Sequence, residues 1–194
     1  MMDDTWDDYA EGWDDNPDAR AYSEKAFHRL REVVEIQHAS VFDFGCGTGL
    51  LTEKIAPLAT SIVALDASEK MIRVLEGKHL PNVRALCGTL EAYLASDPPE
   101  SRLPFDLVVA SSVCAFVEDY PGTLRQIHSL LKAGGRFIQW DWLSPEGSDH
   151  PGFTEAQMSG ALKDSGFSQV RVRGGFTMAG PEGEASVLMG VAVK

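Results

Sequence analysis

The sequence predicts an α/β chain, a mostly parallel sheet with helices on both faces, finished by an antiparallel hairpin. Three observations predict it. From residue 40 onward, short β-rich apolar runs alternate with stretches of helical periodicity, the pattern of strand-helix-strand units. The first of those runs, Val41-Phe42-Asp43-Phe44, passes directly into Gly45-Cys46-Gly47-Thr48-Gly49, with glycine at every second position. The last two runs, 167–173 and 186–193, have no helical segment between them, so they pair antiparallel through the Gly-rich stretch 174–183.

Taken in order, residues 1–18 carry eight acids and no base, which by composition alone reads as a solvated tail. Trp6, Tyr9, Ala10 and Trp13, however, fall at i, i+3, i+4 and i+7, so the segment is expected to form a helix with its acids on the opposite face. Asn16 and Pro17 supply the cap and first turn of a second helix, with Tyr22, Ala26, Leu30 and Val33 on one side. Strands are expected at 41–44, 61–66, 83–87, 105–110 and 136–141. Leu50, Leu51, Ile55 and Leu58 place a helix after the glycines, its free N–H groups facing any ligand there. Ser68 caps the helix after the second strand. Pro98, Pro99 and Pro104 mark a loop before the fourth strand, and Gly134-Gly135 turns into the fifth. Thr154 and Gln157 form a capping box for a helix that Gly166 can end.

The chain has 194 residues, 44% of them hydrophobic, enough for one domain with a proper core. One domain, 1–194, is expected, with 1–38 as an N-terminal helical lid and 39–194 as the core. The net charge of −12 opposes a phosphate backbone, and no basic patch offsets it, which argues against nucleic-acid partners. No apolar run approaches the roughly 18 to 20 residues of a membrane span, and a cytoplasmic location is expected. Cys46, Cys87 and Cys114 are scattered and never in a C-x-x-C pair, so they read as buried small hydrophobes. No set of acids and histidines has metal-ligand spacing, and no metal is expected.

The chemistry concentrates at the strand ends. Alternate glycines let backbone lie against a ligand where a Cβ would collide with it. Seventeen residues past Gly49 the second strand ends on Asp66, placed to accept both hydroxyls of a ribose. Loop and acid together imply a nucleoside cofactor. A dinucleotide fingerprint beginning at Gly45 needs glycine where Leu50 stands, and a phosphate-binding Walker loop needs a lysine that does not appear until Lys54.

The pattern Asp43-x-Gly45-x-Gly47-x-Gly49 resembles the first motif of class I S-adenosylmethionine-dependent methyltransferases. Asp66 matches the ribose acid of that family, Phe105-Asp106-Leu107-Val108-Val109-Ala110-Ser111 its fourth strand, and Leu130 to Ile138 the helix and turn before its fifth. The resemblance covers residues 41–140. It implies a three-layer Rossmann-like sandwich with a seven-stranded, mostly parallel sheet of order 3-2-1-4-5-7-6, an antiparallel last strand, and N-terminal helices that cover the site with the 141–153 loop. S-adenosylmethionine is the implied cofactor, with S-adenosylhomocysteine as product. The implied cofactor-binding residues are Trp13, Tyr22, Asp43, Gly45, Gly47, Gly49, Asp66, Ala67, Met71, Gly88, Thr89, Leu90 and Ser111.

Methyl transfer from a sulfonium needs in-line positioning, exclusion of water and, for a protonated acceptor, a base. His150, in the loop behind the fifth strand, is the candidate base, with Asp141 to orient it. Ser111-Ser112-Val113-Cys114 replaces the Asn/Asp-Pro-Pro-Tyr/Phe tetrapeptide of enzymes that methylate adenine or glutamine nitrogen, so those substrates are disfavoured. Trp6-Asp7-Asp8-Tyr9 and Trp13-Asp14 are similar to a pattern of small-molecule methyltransferases, a resemblance that implies a small-molecule acceptor. Two alternatives stand beside this reading. One is a cofactor-binding regulatory or partner protein without catalysis, because no acid follows the third strand. The other is a nicotinamide-dependent oxidoreductase, against which Tyr22, Tyr93 and Tyr120 are followed four residues later by Ala26, Asp97 and Leu124 rather than lysine.

Overall fold

Four consecutive buried residues, Val41 to Phe44, make β1 (Ser40–Phe44) a strand covered on both faces, as a continuous apolar run in a parallel sheet must be. It pairs parallel with β2 (Ser61–Asp66), Phe44 opposite Leu65, and β2 pairs parallel with β3 (Val83–Cys87), Asp66 opposite Cys87. Around them lie α1 (Asp3–Tyr9), α2 (Pro17–Val33), α3 (Thr52–Ile55), α4 (Glu69–Gly77) and α5 (Leu90–Ala95). The caps form as the sequence predicts: the Asn16 side chain accepts from the N–H groups of Asp18 and Ala19, and Ser68 Oγ from that of Met71.

Two helices in this part are shorter than their periodicity implies. The first stops at Tyr9; Gly12, at φ 83°, then redirects the chain, and Trp13 opens a separate 3-10 turn, Trp13–Asp15. The helix after the glycines is a single turn, because Pro57 follows its C-cap Ala56 and cannot continue the hydrogen-bond ladder. Leu50 and Leu51 are buried before it begins, and Thr52 and Ile55 are its buried residues.

The later part holds β4 (Phe105–Ser111), α6 (Tyr120–Leu130), β5 (Leu131–Trp142), α7 (Glu155–Asp164), β6 (Ser168–Gly180) and β7 (Gly183–Val193). β4 and β5 are parallel with Ser111 opposite Trp140, and β7 lies antiparallel between β5 and β6 with Leu188 opposite Asp141. β5 starts earlier than expected. Leu131 already pairs with Phe105, and the register shifts before Leu107 meets Arg136, so Gly134-Gly135 lies in an irregularity of the ladder. There Gly134 adopts φ 77° and its N–H donates to the Lys194 carbonyl.

The stretch 174–180 is ladder rather than connection. Gly174 pairs with Leu188, the register shifts before Phe176 meets Val187, and pairing runs on to Gly180 opposite Gly183. Glycines that read as a loop therefore sit at a β-bulge. A second register shift lies between Ser168 and Arg171, beside Gln169 at φ 48°. The Thr154–Gln157 capping box forms, and Gly166, at φ 96°, follows the end of α7.

The structure is a computed structural model that describes residues 3–96, 104–145, 147, 148, 150–180 and 183–194; Pro98 and Pro99 of the expected loop lie outside the described residues. The chain divides into two compact units, Met1–Leu103 with β1 to β3 and Pro104–Lys194 with β4 to β7. The strand order is β3-β2-β1-β4-β5-β7-β6, the order the family resemblance implies. Phe42, Ile55, Ile62 and Leu75 centre the core of the first unit; Leu107, Leu124, Phe137 and Trp140 centre that of the second. Among the described residues, no helix is long and apolar enough to cross a membrane, and no group of His, Cys, Asp and Glu side chains could hold a metal ion.

Candidate cofactor site and the turn after the fourth strand

The three glycines are used for different reasons. Gly45 and Gly47 take φ 70° and 54°, left-handed values that a Cβ disfavours, and a Cβ at Gly47 would meet no atom within 4 Å. Space beside Gly47 is therefore open, as a cradle for a ligand requires. Gly49 is different: at φ 82°, its Cβ would lie 2.3 Å from Leu75 Cδ1, so its smallness serves packing against α4.

Asp66 organises the surroundings of this loop. Its Oδ2 accepts the Gly47 N–H at 2.8 Å and its Oδ1 the Ser68 N–H at 2.9 Å. Its carbonyl accepts the Gly88 N–H at 2.8 Å, so the loops after β1 and β3 both attach to one residue. Burial raises its carboxyl above the ordinary range, opposed by the N–H groups of Ser68, Gly47 and Ala67. Asp43, fully buried below the loop, accepts the Thr52 hydroxyl on Oδ2 at 2.6 Å, while Oδ1 has no hydrogen-bond partner. Burial pushes Asp43 up to about 7. An orphaned carboxylate oxygen and an open glycine cradle fit a ligand with polar groups of its own. The Cys46 thiol in the loop is buried and held well above its ordinary value, hence unreactive.

The N-terminal segment reaches this loop through its acids. Thr48 Oγ1 donates to Asp14 Oδ1 at 2.5 Å, and Lys78 Nζ lies 2.8 Å from Asp14 Oδ2 and 2.9 Å from Glu53. The Ser68 hydroxyl donates to Asp7, which also accepts the Lys70 N–H. Trp13 is half-buried, in edge contact with Trp6 at 6.3 Å and with Tyr9 at 6.4 Å, so the three rings meet although Trp13 lies outside α1. Tyr22 is buried on α2.

After β2 and β3 the expected residues divide. Ala67 is exposed, whereas Met71 and Leu90 are buried with the apolar faces of α4 and α5. Thr89 caps α5, its hydroxyl accepting the Ala92 N–H, so that side chain is already engaged.

In the second unit, Ser111 ends β4 half-buried and Ser112 follows at φ 57°. The pairing of Asp141 with His150 does not form. Asp141 is fully buried, with Gln139 Nε2 donating to its Oδ2 at 2.8 Å and the Ala115 N–H pointing at Oδ1 from 3.4 Å. His150 is exposed; its N–H donates to Ser148 Oγ and its carbonyl accepts from Ser144. Gln139 and Tyr120 escaped the sequence reading. The available signal was two polar residues, Gln139 and Asp141, two apart in the otherwise apolar run Phe137 to Trp142, hence on one strand face.

Residues 42–137 match the family described as a methyltransferase domain. The chain is 32% identical over 127 residues to malonyl-(acyl-carrier protein) O-methyltransferase of Halalkalibacterium halodurans, covering 59% of this chain and 45% of that protein. It spans about half the length of the curated relatives it matches, 55% and 45% of two of them. Among solved structures, a methyltransferase of Haloferax volcanii in complex with the Trm112 methyltransferase activator superposes with TM-score 0.79 at 18% identity over 97% of both chains. The complex of DhpI with S-adenosylhomocysteine superposes with TM-score 0.75 at 20% identity over 97% of this chain and 93% of that one. At such identities the structures speak to fold, and they share this one. With the glycine loop, Asp66 and the sheet order all in place, the chain belongs to the class I S-adenosylmethionine-dependent methyltransferases.

Proposed function

We propose that this chain transfers the methyl group of S-adenosylmethionine to a small-molecule acceptor. The observation that carries the reading is the Asp66 carboxylate joined to the Gly47 N–H at 2.8 Å, which sets an acceptor for ribose hydroxyls beside an open backbone cradle. When bound, S-adenosylmethionine supplies an electrophilic methyl group. The chain supplies position: Gly45 and Gly47 let the backbone approach while Gly49 seats the loop against α4, Asp43 Oδ1 offers an unused acceptor, Asp66 and Ala67 take the ribose side, and Met71, Gly88 and Leu90 flank the base. Thr89 contributes through its backbone, since its hydroxyl caps α5. Ser111 contributes from the end of β4. Trp13 and Tyr22 act as lid and lid support, a role favoured by the ring cluster around Trp13.

Catalysis by positioning alone suits an acceptor that reaches the site already ionised. His150 is kept as base only for an acceptor that carries a proton. The O-methyltransferase relative supports oxygen as the accepting atom.

Calorimetric titration with S-adenosylmethionine, S-adenosylhomocysteine and NAD tests the reading. Micromolar binding of the first two and none of NAD is the expected result. An acceptor screen of hydroxyl, carboxyl and amine compounds then measures turnover. Absence of binding by either adenosyl compound would remove the enzyme assignment; binding without turnover across the panel would favour a regulatory protein.

A further inference from the structure

A polar relay lies inside the second unit, and the proposed reaction leaves it unused. Tyr120, the first residue of α6, donates its hydroxyl to Gln139 Oε1 at 2.8 Å. That bond decides which end of the amide faces Asp141, and Nε2 accordingly donates to Oδ2 at 2.8 Å. On its other side the Asp141 carboxylate faces the N–H groups of Ala115 and Cys114. These belong to a 3-10 turn, Cys114–Phe116, whose own N-cap position is Val113 and offers no side-chain acceptor. Asp141 thus caps from a distance a turn that cannot cap itself.

The turn is one that needs holding. Ser112, two residues before it, sits at φ 57°, a left-handed conformation that is strained for a non-glycine residue and persists only where the surroundings over-determine it. Its N–H donates to the Trp140 carbonyl at 2.7 Å, so the chain is fixed on both sides of Val113 by consecutive residues of β5. Gln139 and Asp141 are fully buried, and an apolar pair of similar volume would pack there without the cost of desolvating a carboxylate. Position, rather than stability, is what the relay provides.

We propose that Gln139 and Tyr120 are positioning residues that act through Asp141 to hold the Ser112–Phe116 turn in a single conformation for methyl transfer. This rests on the methyltransferase reading, in which the turn after β4 meets the acceptor or the methionine part of the cofactor. Every partner of the carboxylate donates to it, so the hold requires the ionised form; a proton on either oxygen would face a donor. Burial pushes Asp141 up to about 7 against the donated bonds of Gln139, Ala115 and Cys114. The titratable groups facing it are the Cys114 thiol on the turn and the Tyr120 phenol on α6, both raised by burial and both neutral through the physiological range. The turn should therefore loosen as pH falls through neutrality.

The test follows the amide resonances of Cys114 and Ala115 from about pH 5.5 to 8.5 in the full chain, in Asp141→Asn, Gln139→Leu and Tyr120→Phe. Both amides are expected to shift together with a midpoint near 7 and to lose that shift in Asp141→Asn. Gln139→Leu removes a donor to the ionised form and should raise the midpoint by about half a pH unit or more; Tyr120→Phe, which frees the amide to rotate, should raise it less. Amides that do not titrate, that titrate unchanged in Asp141→Asn, or that keep their midpoint in both relay variants would overturn the proposal. S-adenosylhomocysteine titration of the same wild-type sample reads the underlying assignment separately. Binding together with the neutral midpoint supports the proposal, whereas no binding would remove the functional role while the amides still decide whether the relay holds the turn.

Discussion

Asp14 and Thr48 are joined by a 2.5 Å hydrogen bond across 34 positions of the chain, and the other oxygen of the same carboxylate meets Lys78 at 2.8 Å. One side chain thereby ties the N-terminal segment to the glycine loop and to the end of α4. Asp14→Ala should detach the first 15 residues more than it unfolds the core. We expect a stability loss of about 1 kcal/mol in urea titration, modest because the carboxylate is partly solvated. Limited proteolysis should cut the variant within residues 5–20 faster than wild type, and equal cleavage rates would show that the bonds of Asp7 to Ser68 and Lys70 hold the segment without Asp14.

Asp66→Ala removes an acceptor shared by Gly47 and Ser68 together with the proposed ribose contact. S-adenosylhomocysteine affinity should fall about tenfold to a hundredfold, the range expected for a charge-assisted contact. The midpoint of denaturation should move little, because a carboxyl already raised by burial contributes little to stability when ionised. Unchanged affinity in calorimetry would exclude Asp66 from the site.

Gly47→Ala and Gly49→Ala separate conformation from packing. Alanine at position 47 meets nothing but must hold φ 54°, which costs about 1 kcal/mol, and its methyl would enter the open cradle. Alanine at position 49 adds a collision with Leu75, for a total near 2–4 kcal/mol. Binding should therefore suffer more than stability in the first variant, and stability more in the second. The reverse order, read by calorimetry and chemical denaturation together, would mean that the ligand does not approach Gly47.

Asp43 and Asp141 give the fold a definite pH dependence. Both are pushed by burial to about 7, above the ordinary 3.8 they regain on unfolding. The native state therefore binds more protons than the unfolded chain between these values. Their stabilising contribution is complete below about pH 4 and is lost as pH rises to about 7, by at most roughly 4 kcal/mol for each group. Urea denaturation of wild type, Asp43→Asn and Asp141→Asn across this window checks the sign: each variant should lose less stability on going from about pH 5 to 7.5 than wild type does. A steeper loss in either variant would contradict the burial argument for that residue.

What the sequence makes legible is whatever local chemistry encodes. Asp43 and the glycines lie within seven positions, Asp66 closes a predictable strand, and Asn16, Ser68 and Thr154 each cap the helix that follows them. Local signals were also present where the expectation failed. Gly12 breaks the helix that Trp6, Tyr9 and Trp13 would otherwise share, and Pro57 cuts short the one that Leu50, Leu51, Ile55 and Leu58 describe; in both, apolar periodicity outweighed a breaker that proved decisive. The contacts that could not be read are those between elements. Nothing near Thr48 points to Asp14, and nothing near Asp141 points to Tyr120 rather than His150, because those partnerships depend on side-chain directions that only the folded backbone fixes.

β6 ends the sheet as an exposed strand of 13 residues, long enough to serve as a template for another copy of the chain. Its two register shifts, the left-handed Gln169 and the exposed Arg171 and Arg173 interrupt that edge with irregular backbone and charge. The irregularities that made part of this strand read as a loop in the sequence thus make it a poor seed for aggregation, and straightening them would trade a tidier strand for a stickier protein.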